Sequence, residues 1–292
     1  MMFEFLRILF LPVTKTLDFI TKYFKTIVFL TILFFVFKES EPQNLEVANL
    51  QKIDLIGPIL NVDKTLEAIE NASKNEHIKG VLLNVNSPGG AVAPSVEIAY
   101  AIKELNEKKP VVAYASGVMA SGSYYASIWA SKIVANPGSM IGSIGVIFQG
   151  ANIEELMQKI GVQTQTVKVG RYKEAGTFAR EWNSYEKQEL EHVINDTYSM
   201  FVSDVAMARK LKVDEHEKYA DAHIFTARQA KSVGLIDEVA TLSFAQNELY
   251  QLSGIQKPIW VQEDKFDRFL DKMMSEAFSH FSLNFMDGLK AY

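Results

Sequence analysis

No cysteine occurs in the 292 residues, which removes disulfides, thiolate nucleophiles and cysteine-ligated zinc together. The redox compartment is thereby left open. Grouped cations are missing too: 30 Lys and Arg stand against 35 Asp and Glu, a net charge of −5 with no basic block. Nucleic acid is not expected as a partner, because neutralising phosphates takes clustered positive charge. The chain also lacks internal repeats, low-complexity tracts, metal-ligand spacing and a nucleotide loop, so no metal and no cofactor is expected. What is present is globular chemistry, with 48% hydrophobic and 22% charged residues in a length that suits one large or two small domains.

Long hydrophobic runs are scarce, with one exception. Thr26 to Phe37 reads TIVFLTILFFVF, uncharged and bracketed by Lys25 and Lys38. A bilayer core of roughly 30 Å asks for ~20 helical residues. Lys22 and Lys25 can snorkel, so residues 19–37 are expected to act as a transmembrane signal anchor; no small-x-small cleavage site follows Phe37. Over residues 1–25, up to the start of the uncharged run, Arg7, Lys15, Lys22 and Lys25 outnumber Glu4 and Asp18. After it, Glu39, Glu41, Glu46 and Asp54 outnumber Lys38 and Lys52. The positive-inside rule then predicts a short cytoplasmic segment over 1–18, a linker over 38–49 and an extracytoplasmic domain anchored in a bacterial-type inner membrane.

Beyond the linker the pattern alternates. Strands are expected at Lys52–Leu60, Gly80–Val85, Pro110–Ala115 and Lys132–Ala135, with helices at Lys64–Asn75, Pro94–Lys108 and Ala120–Ala130 between them. Strand and helix in alternation imply parallel crossovers, hence an α/β domain over 50–240 whose site lies at the strand C-termini. Asn183–Lys212 reads as a long helix and Thr226–Gly234 as a short one. Residues 241–292 form a C-terminal extension in which Phe266, Phe269, Leu270, Met273, Met274, Ala277, Phe278 and Phe281 mark an amphipathic helix. That helix suits packing on the core or a neighbouring subunit, or contact with lipid through Lys265, Arg268 and Lys272.

Two loops carry candidate chemistry. In Asn86-Ser87-Pro88-Gly89-Gly90, paired glycines let the backbone approach a ligand and turn N–H groups toward one point, as an oxyanion needs, although a plain tight turn accounts for the same residues. In Ala120-Ser121-Gly122-Ser123-Tyr124-Tyr125, a serine at a strand-to-helix turn is either a nucleophile helped by the helix dipole or an ordinary N-cap. A serine nucleophile needs a base. None of the histidines, His77, His192, His216, His223 and His280, falls at a strand-end loop of the 80–150 core. Lys173, in Gly170-Arg171-Tyr172-Lys173-Glu174-Ala175-Gly176 after an expected strand Thr164–Val169, is the other option. Lysine acts as general base only when burial or an interface keeps its amine neutral.

The runs LLNVNSPGG, KKPVVAYASGVMASGSYYAS, KIVANPGSMIGSIGVI, GRYKEAG and ADAHIFTARQAKSVGLIDEV resemble the signal peptide peptidase A family of membrane-anchored serine peptidases, in its short single-copy form. The likeness runs from about Lys52 to Val239. It implies a Clp-protease/crotonase-like α/β superfold, with Ser121 as nucleophile and Lys173 as general base. Gly89, Gly90 and Gly122 match the oxyanion segments, and Ser143 matches a serine that orients the lysine. It also implies a homo-octameric ring whose dyad is shared between protomers, acting on hydrophobic peptides such as remnant signal peptides. The sequence departs from the family pattern at Asn84, Ser123, Ala222 and His223, where arginine, glycine, glycine and arginine are usual. The alternatives are a catalytically silent membrane scaffold and a crotonase-like acyl-CoA enzyme, the second of which the anchor and the lysine motif do not favour.

Overall fold

The computed structural model describes residues 18–30 and 47–262, in two compact units divided after Glu46. In the first unit, residues 18–30 form helix α1. Among the described residues no helix is long and apolar enough to cross a membrane. The expected span continues through 31–37, and the expected amphipathic helix occupies 265–292; both stretches lie outside the described residues.

The second unit runs β1 (Leu50–Ile56), α2 (Asp63–Lys74), β2 (Gly80–Ser87), α3 (Val92–Lys108), β3 (Val111–Ala120), α4 (Gly122–Ser127), β4 (Lys132–Ala135) and β5 (Met140–Gly142). It continues through α5 (Glu154–Lys159), α6 (Ser184–Arg209), a 3₁₀ turn (Val213–Lys218), β6 (Ile224–Thr226), α7 (Ala227–Ser232), β7 (Glu238–Val239) and α8 (Leu242–Ser253). The sheet order is β1-β2-β3-β4-β7, all parallel, with β5 on β3 and β6 antiparallel to β5. An α/β fold is what the alternating pattern predicted.

Strands buried on both faces read as continuous apolar runs because each face needs its own cover. Val81, Leu83, Val85, Val111, Ala113 and Ile133 point into the larger core with α3 and α4. Their alternate neighbours Leu82, Val112, Tyr114 and Val134 meet Ala245 and Leu249 of α8 on the other face. The tail then runs alongside β1, with Val261 N–H donating to Leu50 O at 2.8 Å.

Three differences from the sequence expectations have physical causes. β3 runs past Ala115 to Ala120, because its first half pairs with β4 and its second with β5. The β2–β3 register slips between Val85 and Ser87, and Asn86 fills the slip: its Oδ1 accepts the Val118 N–H at 2.9 Å. That oxygen occupies the space of a side chain at Gly117, 2.4 Å from where a Cβ would stand. The expected strand Thr164–Val169 does not form; residues 162–168 are exposed and without regular structure, and among the described residues no strand pairs with them.

The turn before β6 holds two non-glycine residues in the left-handed region, Asp221 (φ 55°) and Ala222 (φ 56°). Alanine gains nothing there to offset its Cβ strain. Ala222→Gly is therefore expected to raise stability by about 1 kcal/mol, read as an increase in melting temperature.

Candidate active site

Ser121 follows the last residue of β3 and stands at the N-cap of α4. Its backbone, at φ 52° and ψ −125°, lies in a region that costs an L-residue on the order of 1–3 kcal/mol and persists only where neighbours impose it. The neighbours are visible. The Ser121 N–H donates to Gly142 O at 2.8 Å, and its carbonyl accepts the Tyr125 N–H at 3.0 Å. The result is a half-buried serine whose Oγ has no hydrogen-bond partner among the described residues. A plain N-cap serine would give its oxygen to a helix N–H; this one makes no such bond. What the structure shows is a strained strand-to-helix turn that leaves the hydroxyl unused by the helix.

The Gly89-Gly90 loop lies against this turn. Gly89 has φ 90°, and a Cβ on it would stand 2.5 Å from Gly122 N and 2.9 Å from Ser121 Cβ. A Cβ on Gly122 would fall 2.1 Å from Ser95 Oγ and 3.4 Å from Gly90 N. The amides of Gly90 and Gly122 thus lie close together beside the serine, and neither N–H has a backbone acceptor among the described residues. Two free donors converging next to a free hydroxyl can receive an oxyanion.

Loop and turn are stapled. Ile59 N–H donates to Gly89 O and Ala91 N–H to Ile59 O, each at 2.9 Å. Ser123, fully buried, donates its hydroxyl to Ser87 O at 2.6 Å and accepts the Ala120 N–H at 2.9 Å. Ser123 therefore ties the Ser121 turn to the Gly89-Gly90 loop, a link that spacing and hydropathy do not signal. Ser143 comes one residue after Gly142, the residue that braces Ser121; it is half-buried at φ 50°, with its N–H on His223 O at 2.7 Å.

A cavity of about 30 Å³ opens beside Ser121, Gly90 and Gly122, with Val96, Val146, Met200 and Phe201 in its wall. Tyr125 packs edge-on against Phe201 at 4.7 Å and donates its hydroxyl to Asp204 of α6. Burial first, and then this hydrogen bond to a carboxylate, pushes the phenol upward, so Tyr125 stays neutral as a wall residue. The wall is apolar and suits an apolar side chain. α6 supplies part of it, a contribution invisible in helical periodicity alone.

Lys173 stands apart. It lies in consecutive turns over 170–177, is exposed, and is not among the residues lining the Ser121 cavity. Its amine makes no hydrogen bond or ion pair among the described residues. Residues 172–174 are fastened to the first turn of α6 at Tyr185 and Glu186. The cavity wall begins on the same helix at Thr197, about 17 Å further along at 1.5 Å per residue. Ser121, Gly89, Gly90 and Gly122 are brought together, with Ser143 close in the chain to the Gly142 brace; Lys173 of the same chain is not brought to them. Among the described residues no group of three or more His, Asp or Glu side chains could hold a metal ion.

Comparison with known proteins gives the same direction. The model of peptidase family S49 matches residues 103–256. A protein of Methanocaldococcus jannaschii named as a protease is 42% identical over 193 residues, covering 66% of this chain and 62% of its own length. One from Enterococcus faecium, named as a signal peptide peptidase, is 32% identical over 180 residues, 61% of this chain and 52% of its own. The chloroplast serine protease of Arabidopsis thaliana is 34% identical over 190 residues, 65% of this chain and 28% of its own. This chain thus spans about half to three-fifths of the first two relatives and little over a quarter of the plant protein. The family match extends over the serine turn, the cavity wall from Tyr125 to Phe201 and the lysine loop, and the chain belongs to peptidase family S49, the signal peptide peptidase A family.

Proposed function

We propose that the protein is a membrane-anchored serine endopeptidase that cleaves hydrophobic peptides, remnant signal peptides among them. The observation that carries the reading is the unpartnered Ser121 hydroxyl on a strained turn, beside the free N–H groups of Gly90 and Gly122. Lys173, supplied by a neighbouring protomer, takes the hydroxyl proton as Oγ attacks the scissile carbonyl. The two amides hold the resulting oxyanion, and the protonated lysine returns its proton to the leaving amine. Water activated by the same lysine then hydrolyses the acyl-enzyme. Ser143 orients the lysine amine.

A homo-octameric ring is the assembly that the family resemblance implies, and the separation of Lys173 from its own serine supports a base supplied by another protomer. An apolar cavity favours apolar side chains next to the cleaved bond. The span 19–37 would hold the domain over the outer face of the membrane, where such peptides remain after preprotein processing.

A fluorophosphonate reagent is expected to modify Ser121, located by peptide mass mapping, and to leave Ser121→Ala protein unmodified. Modification elsewhere with Ser121 untouched would remove the nucleophile assignment. An assembled protein that takes no label and cleaves no peptide would instead favour the silent scaffold.

A further inference from the structure

The residues on either side of Lys173 are both fastened to one turn of helix. Tyr172 meets Tyr185 edge-on at 5.7 Å, and the Arg171 guanidinium lies over the Tyr185 ring at 4.1 Å. On the other side, Glu174 accepts Arg180 Nη2 at 3.0 Å. The same guanidinium forks onto Glu186, Nη2 to Oε1 at 2.8 Å and Nη1 to Oε2 at 2.9 Å. Tyr185 and Glu186 are adjacent in the first turn of α6.

Glu186 is the unusual member, because its side chain is fully buried while it carries a charge. It takes a third hydrogen bond from the Asn183 N–H at 2.8 Å, completing a capping box. The Arg180 fork, with help from that amide, holds its carboxyl down at about 2, so it is ionised throughout any working pH. A buried ion pair adds little net stability over an apolar pair; its best-supported use is to fix one arrangement among several. Here there is something to fix. Residues 161–183 contain no helix or strand, so no backbone ladder holds the turns that present Lys173.

We propose that Glu186, acting through Arg180 and Glu174, is a positioning residue that sets where Lys173 stands. This rests on Lys173 being the general base. The carboxylate touches no substrate: it fixes the guanidinium, the guanidinium fixes Glu174, and with Tyr172 held on Tyr185 the intervening residue has one way to project. An exposed lysine aimed at a neighbouring chain needs such a footing, since nothing in its own cavity receives it.

Full-length assembled protein carrying Glu186→Gln is the test, measured for peptide kcat and KM and for the rate of fluorophosphonate acylation. Loss of an outer orienting partner typically costs 10- to 100-fold, and that fall is expected in kcat and in acylation rate. KM is expected to stay within about twofold, because the apolar cavity is untouched. Glu174→Gln, which leaves the α6 cap intact, should shift kcat in the same direction by a smaller factor. Wild-type kcat in Glu186→Gln, or a rise in KM alone, would overturn the proposal; should Glu186→Gln not assemble, an unchanged kcat in Glu174→Gln would do so. Lys173→Ala run in parallel separates the two readings. An active Lys173→Ala protein sinks the base assignment itself, whereas an inactive one beside a fully active Glu186→Gln sinks only the positioning role.

Discussion

Rings assembled from equal amounts of Ser121→Ala and Lys173→Ala chains are expected to regain roughly a quarter of wild-type hydrolysis, the share of interfaces that pair an intact serine with an intact lysine. Each variant alone is expected to be inactive, with kcat for Ser121→Ala reduced on the order of 10⁶-fold, as when a nucleophile and its path are lost together. The physical ground is the placement of Lys173. It is exposed, anchored beside the start of α6, and absent from the cavity that holds Ser121. Peptide hydrolysis by the refolded mixture, compared with each variant refolded alone, reads the outcome. A mixture no more active than its components would mean that serine and lysine meet within one chain.

Gly89→Ala is expected to be the next most damaging change, for a steric reason. The added Cβ would stand 2.5 Å from Gly122 N, 2.8 Å from Ala120 O and 2.9 Å from Ser121 Cβ. All three belong to the Ser121 turn, and none is the free end of a flexible side chain. Gly89 also sits at φ 90°, where alanine is strained even in open space. The loop must therefore move away from Ser121, and Gly90 N–H moves with it. Removing one oxyanion donor costs on the order of 10²–10³ in kcat, and that loss is expected here with the protein still folded. Overpacking and backbone strain should add about 1–3 kcal/mol of destabilisation. Steady-state kinetics beside a thermal melt separates the two effects. A Gly89→Ala enzyme with unaltered kcat would mean that this loop does not serve the oxyanion.

The parts of this molecule that were legible in sequence are those fixed by neighbours along the chain. GVLLNV reads as a buried strand because both its faces are covered, and Ser121 reads as a strand-to-helix turn because glycine follows it. Gly89 and Gly90 read as a backbone that approaches something closely; Gly89 approaches Ser121 and Gly122, about 30 residues on, and Gly90 approaches Ile59, about 30 residues back. Less legible was whatever depends on partners far along the chain. Ser123 looked like a departure from pattern, yet its hydroxyl spans 36 residues to reach Ser87. The forking of β3 between β4 and β5 falls at the exposed Ser116 and half-buried Gly117, residues whose composition reads as the end of a strand rather than as its change of partner. Residues 164–169 have strand-like composition, but composition supplies no edge to pair with.

That fork has a bearing on the order in which the site comes into being. The half of β3 that ends at Ser121 belongs with β5, which is itself flanked by β6 at Ile224–Thr226, and the amide of Ser143 is held by the carbonyl of His223. A chain still emerging from the ribosome gains β5, which braces Ser121, about 20 residues after that serine, but β6, which flanks β5, only about a hundred residues after it. The full setting of the Ser121 turn is thus deferred until β6 has been laid down.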